Sequence, residues 1–378
     1  MNAIPFYKPY MTGKELWYIS QALNAGQLAS NGQYTKKCCQ WLTAKTGSLK
    51  VLLTNSCTTA LEMAAILSNI ELGDEVIVPS YTFVSSANAF VLQGATPVFV
   101  DIRPDTLNLD EKLVEEAITD RTRAIVAVHY AGVSCEMDTF KKIAQKHNLL
   151  LIEDAAQGVM SSYKGKALGS IGDLGCLSFH QTKNIISGKG GSLLINKFKF
   201  VDRSQIIGEK GTNRTRFFRG ESDKYTWVDQ GSSYLLGEIP ASLLYAQLEE
   251  AEQITTTRMK IWQHYHQLLE PLEKSGKLRR PIIPSYCEHN AHMYYILLEN
   301  LSTQTNLISY LKEKGINIAY PYVPLHSAPA GQRYGRPHGD LKQTNNVSQR
   351  LLRLPLFPAL SSEQVEFVVS TINNFFTT

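Results

Sequence analysis

The stretch LLLIEDAAQG, Leu149–Gly158, decides how the rest of the chain is read. A continuous apolar run ends in two adjacent carboxylates, Glu153 and Asp154, and then in small residues. An apolar run of this length bounded by polar and small residues reads as a buried strand. In open α/β sheets, ligands bind outside the carboxyl ends of the strands. Asp154 therefore stands where a ligand is expected. From its position alone it could cap the sheet, bind a metal, or face the protonated nitrogen of a pyridine ring.

Outward from this run the pattern repeats. Strands are expected at 50–53, 75–78 (EVIV), 96–100 (TPVFV), 123–128 (RAIVAV) and 149–153. Helices are expected between them, at 58–68, 82–93, 110–118 and 137–147. Strands alternating with helices of about 10–15 residues imply crossover units and a largely parallel sheet. Beyond residue 170 the helices drop out. Leu174–Phe179 and Gly191–Asn196 read as two strands joined only by a loop. Residues 208–233 are long, polar and aromatic, and such a stretch inside a compact protein is usually functional. A long helix is expected from Glu238 to about Leu269. The remainder mixes strands (294–298, 317–320) with helices (307–314, 362–375) as a smaller α+β lobe. The expected division is a large α/β domain over 1–240, followed by a connecting helix and small C-terminal domain over 241–378.

The loop after Leu174–Phe179 reads FHQTKNIISGKGG and carries Lys183. A loop lysine is ordinarily a solvated charge. One set between a buried strand and a glycine-rich turn, 29 residues after Asp154, also suits a lysine that holds an aldehyde. Earlier, LLTNSCTTALEMA (Leu52–Ala64) places Asn55, Ser56, Cys57 and Thr58 between a strand and a helix. Those hydroxyls are either a plain N-cap or a phosphate site built on free N–H groups at a helix N-terminus. Ser178 offers a further hydroxyl. In PSYTFVSSANA, Tyr81 or Phe83 offers a stacking face. His180 reads as a strand-end hydrogen-bonder or a site residue. GSIGDLG, Gly169–Gly175, lacks the strand–turn–helix context of a dinucleotide fingerprint.

Taken in chain order, PFYKP, NSCTTALEMA, GDEVIVPSYTFVSSANA, PVFVDIRPDTLNLD, EDAAQG, SFHQTKN with GKGG, and PYVPLH resemble the sugar aminotransferases of the DegT/DnrJ/EryC1/StrS family. That family lies within the fold-type I, aspartate aminotransferase-like, pyridoxal-phosphate enzymes. HYAGVSCEMDTF, EKGTNRTRFFRG and DKYTWVDQGSSYL are similar to its branch that makes dTDP-4-amino-4,6-dideoxygalactose.

The resemblance implies a mostly parallel seven-stranded sheet and pyridoxal 5'-phosphate as cofactor. Lys183 would hold the cofactor and shuttle a proton, with His180 beside it. Asp154 would pair with the ring nitrogen and Gln157 would sit by the 3-hydroxyl. Phe83 and Ala156 would flank the ring, and Cys57, Thr58 and Ser178 would hold the phosphate. Ser233 would replace an asparagine that in the family reaches the partner subunit's cofactor. Arg214, Arg219, Tyr322 and His326 would meet the substrate. The implied reaction takes an amino group from L-glutamate to C4 of dTDP-4-dehydro-6-deoxy-D-glucose. Its product would serve cell-surface polysaccharide of the enterobacterial common antigen or O-antigen type. A homodimer with composite sites is implied.

Two alternatives stand beside this reading. One is amination of another nucleotide keto-sugar, at a 3-keto group or with a gluco product. The other is a non-catalytic regulator that binds pyridoxal phosphate or a nucleotide sugar. The dehydratase branch of the fold uses a histidine where Lys183 stands.

Composition limits the field further. The 378 residues carry a formal net charge of +4, with 43% hydrophobic and 19% charged residues. That charge is too small and scattered to argue for nucleic acid, but it leaves cations for a small anion. The basic segment Lys210, Arg214, Arg216 and Arg219 is either a solvated loop or a clamp for a pyrophosphate. Six cysteines without metal-ligand spacing read as reduced thiols, and no apolar run approaches the ~18 residues of a membrane span. A cytoplasmic protein without a metal is expected.

Overall fold

Seven apolar segments build the central sheet of the computed structural model, which describes residues 3–377. They are β1 (Lys50–Thr54), β2 (Glu75–Pro79), β3 (Thr96–Val100), β4 (Thr122–Val128), β5 (Leu150–Asp154), β6 (Leu174–Ser178) and β7 (Gly191–Ile195). Their spatial order is β1-β7-β6-β5-β4-β2-β3. From β6 to β3 every neighbour is parallel. β7 runs antiparallel to both β6 and β1. The cause lies in the connection: no crossover helix separates β6 from β7, and parallel neighbours need one.

The sheet has eight strands rather than the expected seven. Arg336–Pro337 adds a short parallel edge beside β3. A two-residue strand has no periodicity to read. Its proline is tolerated because an edge strand has one side free of ladder bonds. Arg336 closes this edge with a forked pair to the buried Glu75, at 3.0 and 2.9 Å.

Other expectations shift at their boundaries. The expected helix from 238 to 269 breaks at Glu250 into Glu238–Glu249 and Ala251–Leu268, with Glu250 at φ −105°, ψ 12°. The expected strand at 317–320 is absent. Only single bridges occur there, Ile4 with Ile316 and Ala319 with Arg353. The helix expected at 307–314 starts earlier, at Leu301, because the Asn300 side chain accepts from Thr303 N (2.9 Å) as an N-cap. The polar stretch 208–233 holds a short helix, Arg214–Phe218, and is pinned by bridges from Glu209 to Ser233 and from Thr212 to Trp227.

Helices pack on both faces of the sheet, and apolar side chains fill the two layers. Ile77, Ile125 and Leu151 belong to one, and Val76, Val126 and Ile152 to the other. Each such side chain contributes about 1.5–3 kcal/mol by leaving water. A third apolar cluster gathers Trp262, Tyr265, Leu307, Leu352 and Val368 around the two-stranded sheet of Tyr294–Leu297 and Leu351–Leu354. All six cysteines are unpaired. Among the described residues no helix is long and apolar enough to cross a membrane.

Candidate active site

The carboxyl ends of β5 and β6 and the turn after β1 open onto one cavity of about 540 Å³. β5 delivers Glu153 and Asp154 to opposite sides, because successive strand side chains alternate. Glu153 enters the core. It accepts from the N–H groups of Gly169 (2.8 Å), Ile171 (2.6 Å) and Gly172 (2.6 Å), and pairs with His129 Nε2 (2.9 Å). His129 Nδ1 accepts from Cys135 N, so the ring hydrogen sits on Nε2 and donates to Glu153. The segment Gly169–Gly175 thus wraps a buried carboxylate.

Asp154 faces the cavity instead. Its Oδ2 accepts from Ser86 Oγ at 2.6 Å, and its Oδ1 accepts from Ala156 N at 3.1 Å. Thr82 Oγ1 lies 2.9 Å from Ser86 Oγ and steadies it.

Lys183 lies in the turn that leaves β6, and its N–H donates to His180 O (2.8 Å). Its side chain is half-buried and makes no ion pair or hydrogen bond with any described residue. Burial lowers its pKa from the ordinary lysine value. Cys57 and Asp154 oppose that shift, and Arg353 adds to it. A depressed lysine spends more time as the neutral amine that can attack an aldehyde.

At the other end of the cavity, Ser56 caps the helix Cys57–Leu67. Its Oγ accepts from Thr59 N, and its own N–H donates to Thr59 Oγ1. The cap satisfies the third helical N–H and leaves those of Cys57 and Thr58 without a protein partner. Thr58 Oγ1 and Ser85 Oγ stand 2.7 Å apart beside them. β7 approaches so closely that a Cβ on Gly191 would lie 2.4 Å from Cys57 N, which explains a glycine there. Free N–H groups, paired hydroxyls and a helix N-terminus fit a phosphate. Burial and then Asp154 push the Cys57 thiol well up, so it stands there uncharged.

Phe83, 55% exposed, overhangs the mouth, and Ala156 lines the same cavity. Gln157 Oε1 accepts from Ala131 N (2.7 Å), which aims Nε2 at Tyr322 OH (3.3 Å). His180 is exposed at the rim. Its pKa is lowered by burial and by Lys183 and Lys189, and its Nδ1 lies 2.9 Å from Thr182 Oγ1. A carboxylate, a half-buried lysine, a phosphate cup and an aromatic plate around one cavity fit pyridoxal phosphate.

Ten of the expected site residues line this cavity: Cys57, Thr58, Phe83, Asp154, Ala156, Gln157, Ser178, His180, Lys183 and Tyr322. Four do not. His326 is held at the end of β2, its Nδ1 2.7 Å from Ser80 Oγ. Ser233 is exposed, and its carbonyl accepts from Asn55 Nδ2. Arg214 pairs with Glu209 (3.1 Å), stacks on Phe218 and lines a separate cavity; Arg219 pairs with Glu221 (3.3 Å). Sequence reasoning missed Ser85 and Ser86. Their signal was the Ser-Ser pair at the start of the helix after β2, the same logic that singled out residues 55–58. It also missed Lys189, which lines the cavity, and Arg353, an arginine inside the apolar run LLRLPLF.

The comparisons with known proteins agree with this arrangement. The family model described as the DegT/DnrJ/EryC1/StrS aminotransferase family matches residues 9–373. GDP-perosamine synthase of Escherichia coli O157:H7 is 31% identical over 100% of this chain and 99% of that protein. The spore coat polysaccharide biosynthesis protein SpsC of Bacillus subtilis is 31% identical over 98% of this chain and 96% of its own length. Among solved structures, Spr1654 from Streptococcus pneumoniae in its PLP-form superposes with a TM-score of 0.90 at 27% identity, covering 99% of this chain and 98% of that one. With the match spanning the whole site, this chain belongs to the DegT/DnrJ/EryC1/StrS aminotransferase family and is a pyridoxal-phosphate-dependent sugar aminotransferase.

Proposed function

We propose that the enzyme moves the amino group of L-glutamate to C4 of dTDP-4-dehydro-6-deoxy-D-glucose, giving dTDP-4-amino-4,6-dideoxy-D-galactose for cell-surface polysaccharide. The observation that carries amino transfer is the meeting of Lys183 and Asp154 in one cavity with the Thr58–Ser85 phosphate cup. The dTDP and galacto specifics rest on the resemblance of HYAGVSCEMDTF, EKGTNRTRFFRG and DKYTWVDQGSSYL. The name of the relative GDP-perosamine synthase favours a second reading, in which the nucleotide is GDP.

When bound, pyridoxal phosphate supplies an aldehyde carbon and a ring that withdraws electrons. Lys183 would hold that carbon at rest. Its free amine would take the proton from the donor's α-carbon and, with the keto-sugar bound, would deliver a proton to the sugar carbon. Asp154, oriented by Ser86 and Ala156 N, would keep a proton on the ring nitrogen. Gln157 Nε2 is aimed at the cavity by the bond from Ala131 N. Cys57 N–H, Thr58 and Ser85 would hold the phosphate and so position the ring.

The exposed aromatics of the 208–233 segment, among them Phe218 (70%) and Trp227 (79%), favour contact with a second copy of the chain. We infer a homodimer in which Arg214, Arg219 and Ser233 serve the neighbouring site. A fully active monomer by light scattering would sink that inference. The substrate is tested by supplying L-glutamate with either the dTDP- or the GDP-linked 4-keto-6-deoxy sugar and weighing the products. An amino sugar from the GDP substrate alone would overturn the dTDP assignment.

A further inference from the structure

The loop that carries Lys183 continues the sheet. β6 and β7 pair with Ser178 opposite Gly191. The same register runs on past the strand ends: Phe179 N donates to Gly190 O (2.8 Å) and Gln181 N to Gly188 O (2.9 Å). His180 and Lys189 are therefore directly opposed. Opposed residues share a face, as do residues two apart on a strand. Ser178, His180 and Lys189 all line the cofactor cavity, as that register requires. Lys189 stands two residues out from Gly191, the glycine that lets β7 approach Cys57 N. Two strand residues span about 6.6 Å, so Lys189 lies outward of the phosphate cup, exposed at the cavity mouth.

Asp154 is the one acid in the lining, and it is bonded to Ser86 and Ala156 N. Lys183 has its task in the chemistry. The Lys189 side chain makes no ion pair or hydrogen bond with any described residue. Across from it, His180 Nδ1 accepts from Thr182 N (3.3 Å), so the neutral ring carries its hydrogen on Nε2. Burial, and then Lys183 and Lys189, lower the His180 pKa and favour that neutral ring. Its Nε2–H donates to no described residue. A cation and an N–H donor thus stand side by side at the mouth without a protein acceptor, on backbone held by the ladder. The cofactor's phosphate has other partners, the Cys57 and Thr58 N–H groups and the Thr58–Ser85 hydroxyl pair. An anion of the acceptor is left for Lys189.

We propose that Lys189, with the His180 Nε2–H beside it, takes the diphosphate of the acceptor at the cavity mouth and so selects nucleotide-linked over free keto-sugars. The inference rests on the reading above that the acceptor is a sugar nucleotide, and it adds the residue of this chain that meets the diphosphate. A hexose that brings C4 to Lys183 leaves its C1-linked diphosphate at the opposite end of the ring, toward the mouth. Both dTDP- and GDP-linked sugars carry that group, so the subsite serves either nucleotide.

The test first loads the enzyme with the amino group from L-glutamate. It then follows return of the visible cofactor band in a single turnover, with the nucleotide-linked 4-keto-6-deoxy sugar that the wild type prefers or with the same sugar free. Lys189→Gln should raise the half-saturating concentration of the nucleotide-linked sugar about tenfold, the low end for a bond to a charged group, and leave its saturating rate within about twofold. The free sugar should react alike with both proteins. Lys189→Arg, which keeps the charge, should recover most of the loss. Added salt should weaken the nucleotide-linked sugar more in the wild type than in Lys189→Gln. Inorganic pyrophosphate, as a probe, should bind the cofactor-loaded wild type by calorimetry and bind Lys189→Gln about tenfold more weakly. Equal weakening of both sugars, or unchanged pyrophosphate binding, would overturn the proposal. So would a loss of pyridoxal phosphate affinity with sugar binding intact, which would move Lys189 to the cofactor's phosphate. If the wild type aminates neither nucleotide-linked sugar, the substrate assignment fails, and the pyrophosphate arm still decides the subsite.

Discussion

Glu153 accepts three backbone N–H groups and pairs with His129, whereas Asp154, the next residue, accepts from Ser86 and Ala156 N and, at a long 4.0 Å, from the Cys57 thiol. Both are buried, at 0% and 5% exposure. The strand's alternation sends one into the core and the other to the cavity. A carboxylate whose lone pairs are filled by fixed donors holds the fold together. One with unused capacity at a strand end is available to a ligand. The same contrast separates Arg258, answered by two carbonyls, from Arg353, whose buried Nε has no partner. Bonding, more than burial, distinguishes the two members of each pair.

The largest effect should come from the group with the fewest bonds of all. Lys183→Ala should abolish amino transfer, read by mass spectrometry of the sugar product, with the melting temperature nearly unchanged. Borohydride reduction of the wild type should tie the cofactor to the peptide that contains Lys183. Label on Lys189, the other lysine of this cavity, would reassign the role.

Asp154→Asn comes next. We expect the cofactor still to bind and the turnover rate to fall by more than ~10²-fold. A near-normal rate would reduce Asp154 to a second Glu153. The converse substitution sharpens the contrast: Glu153→Gln turns an amide N–H₂ toward three N–H donors. It should cost about 2 kcal/mol of stability in urea denaturation while the activity of the folded fraction persists. Lost activity with intact stability would break the comparison.

Lys183 also sets a pH dependence. Its pKa is depressed, chiefly by burial, so the neutral amine gains population at lower pH than for a free lysine. Capture of pyridoxal phosphate by the apoenzyme, followed by absorbance, should therefore speed up as pH rises. Its midpoint should fall below the ordinary lysine value of about 10.4. A midpoint at or above that value would contradict the desolvated setting. The smallest effect is expected at Ser86. Ser86→Ala removes the shortest of the bonds donated to Asp154 and should slow turnover by about tenfold or less, because a single such bond contributes about 1.5 kcal/mol. A loss as large as that of Asp154→Asn would give Ser86 a share in the chemistry itself.

Much of this was legible in the linear chain. LLLIEDAAQG announced a buried strand with acids at its carboxyl end, and β5 ends at Asp154. The lack of a helical pattern between Leu174–Phe179 and Gly191–Asn196 anticipated strands joined only by a loop, and the antiparallel β6–β7 pair follows from it. Thr58, Asp154 and Lys183 stood out because strand ends and helix starts are local features, and the three line one cavity. His129 and Glu153 were not assigned a task, since their partners lie 6 to 24 residues away, in segments that have no pattern of their own. The break at Glu250 had no glycine or proline to mark it.

By itself, then, the sequence determined the alternation of strands and helices, the parallel sheet and most of the residues that line one cavity at the strand ends. Each of these depends on contacts within a few residues or on one repeating period. Only the tertiary structure decided which of two adjacent acids faces the cavity and which of two arginines keeps a buried Nε without a partner. Those are sums over everything that surrounds a side chain. Tyr322 and Arg353 come to Lys183 from more than 130 residues away in the chain. No local spacing encodes that convergence, because it depends on how the packed layers set the distant strand Leu351–Leu354 against the mouth of the sheet.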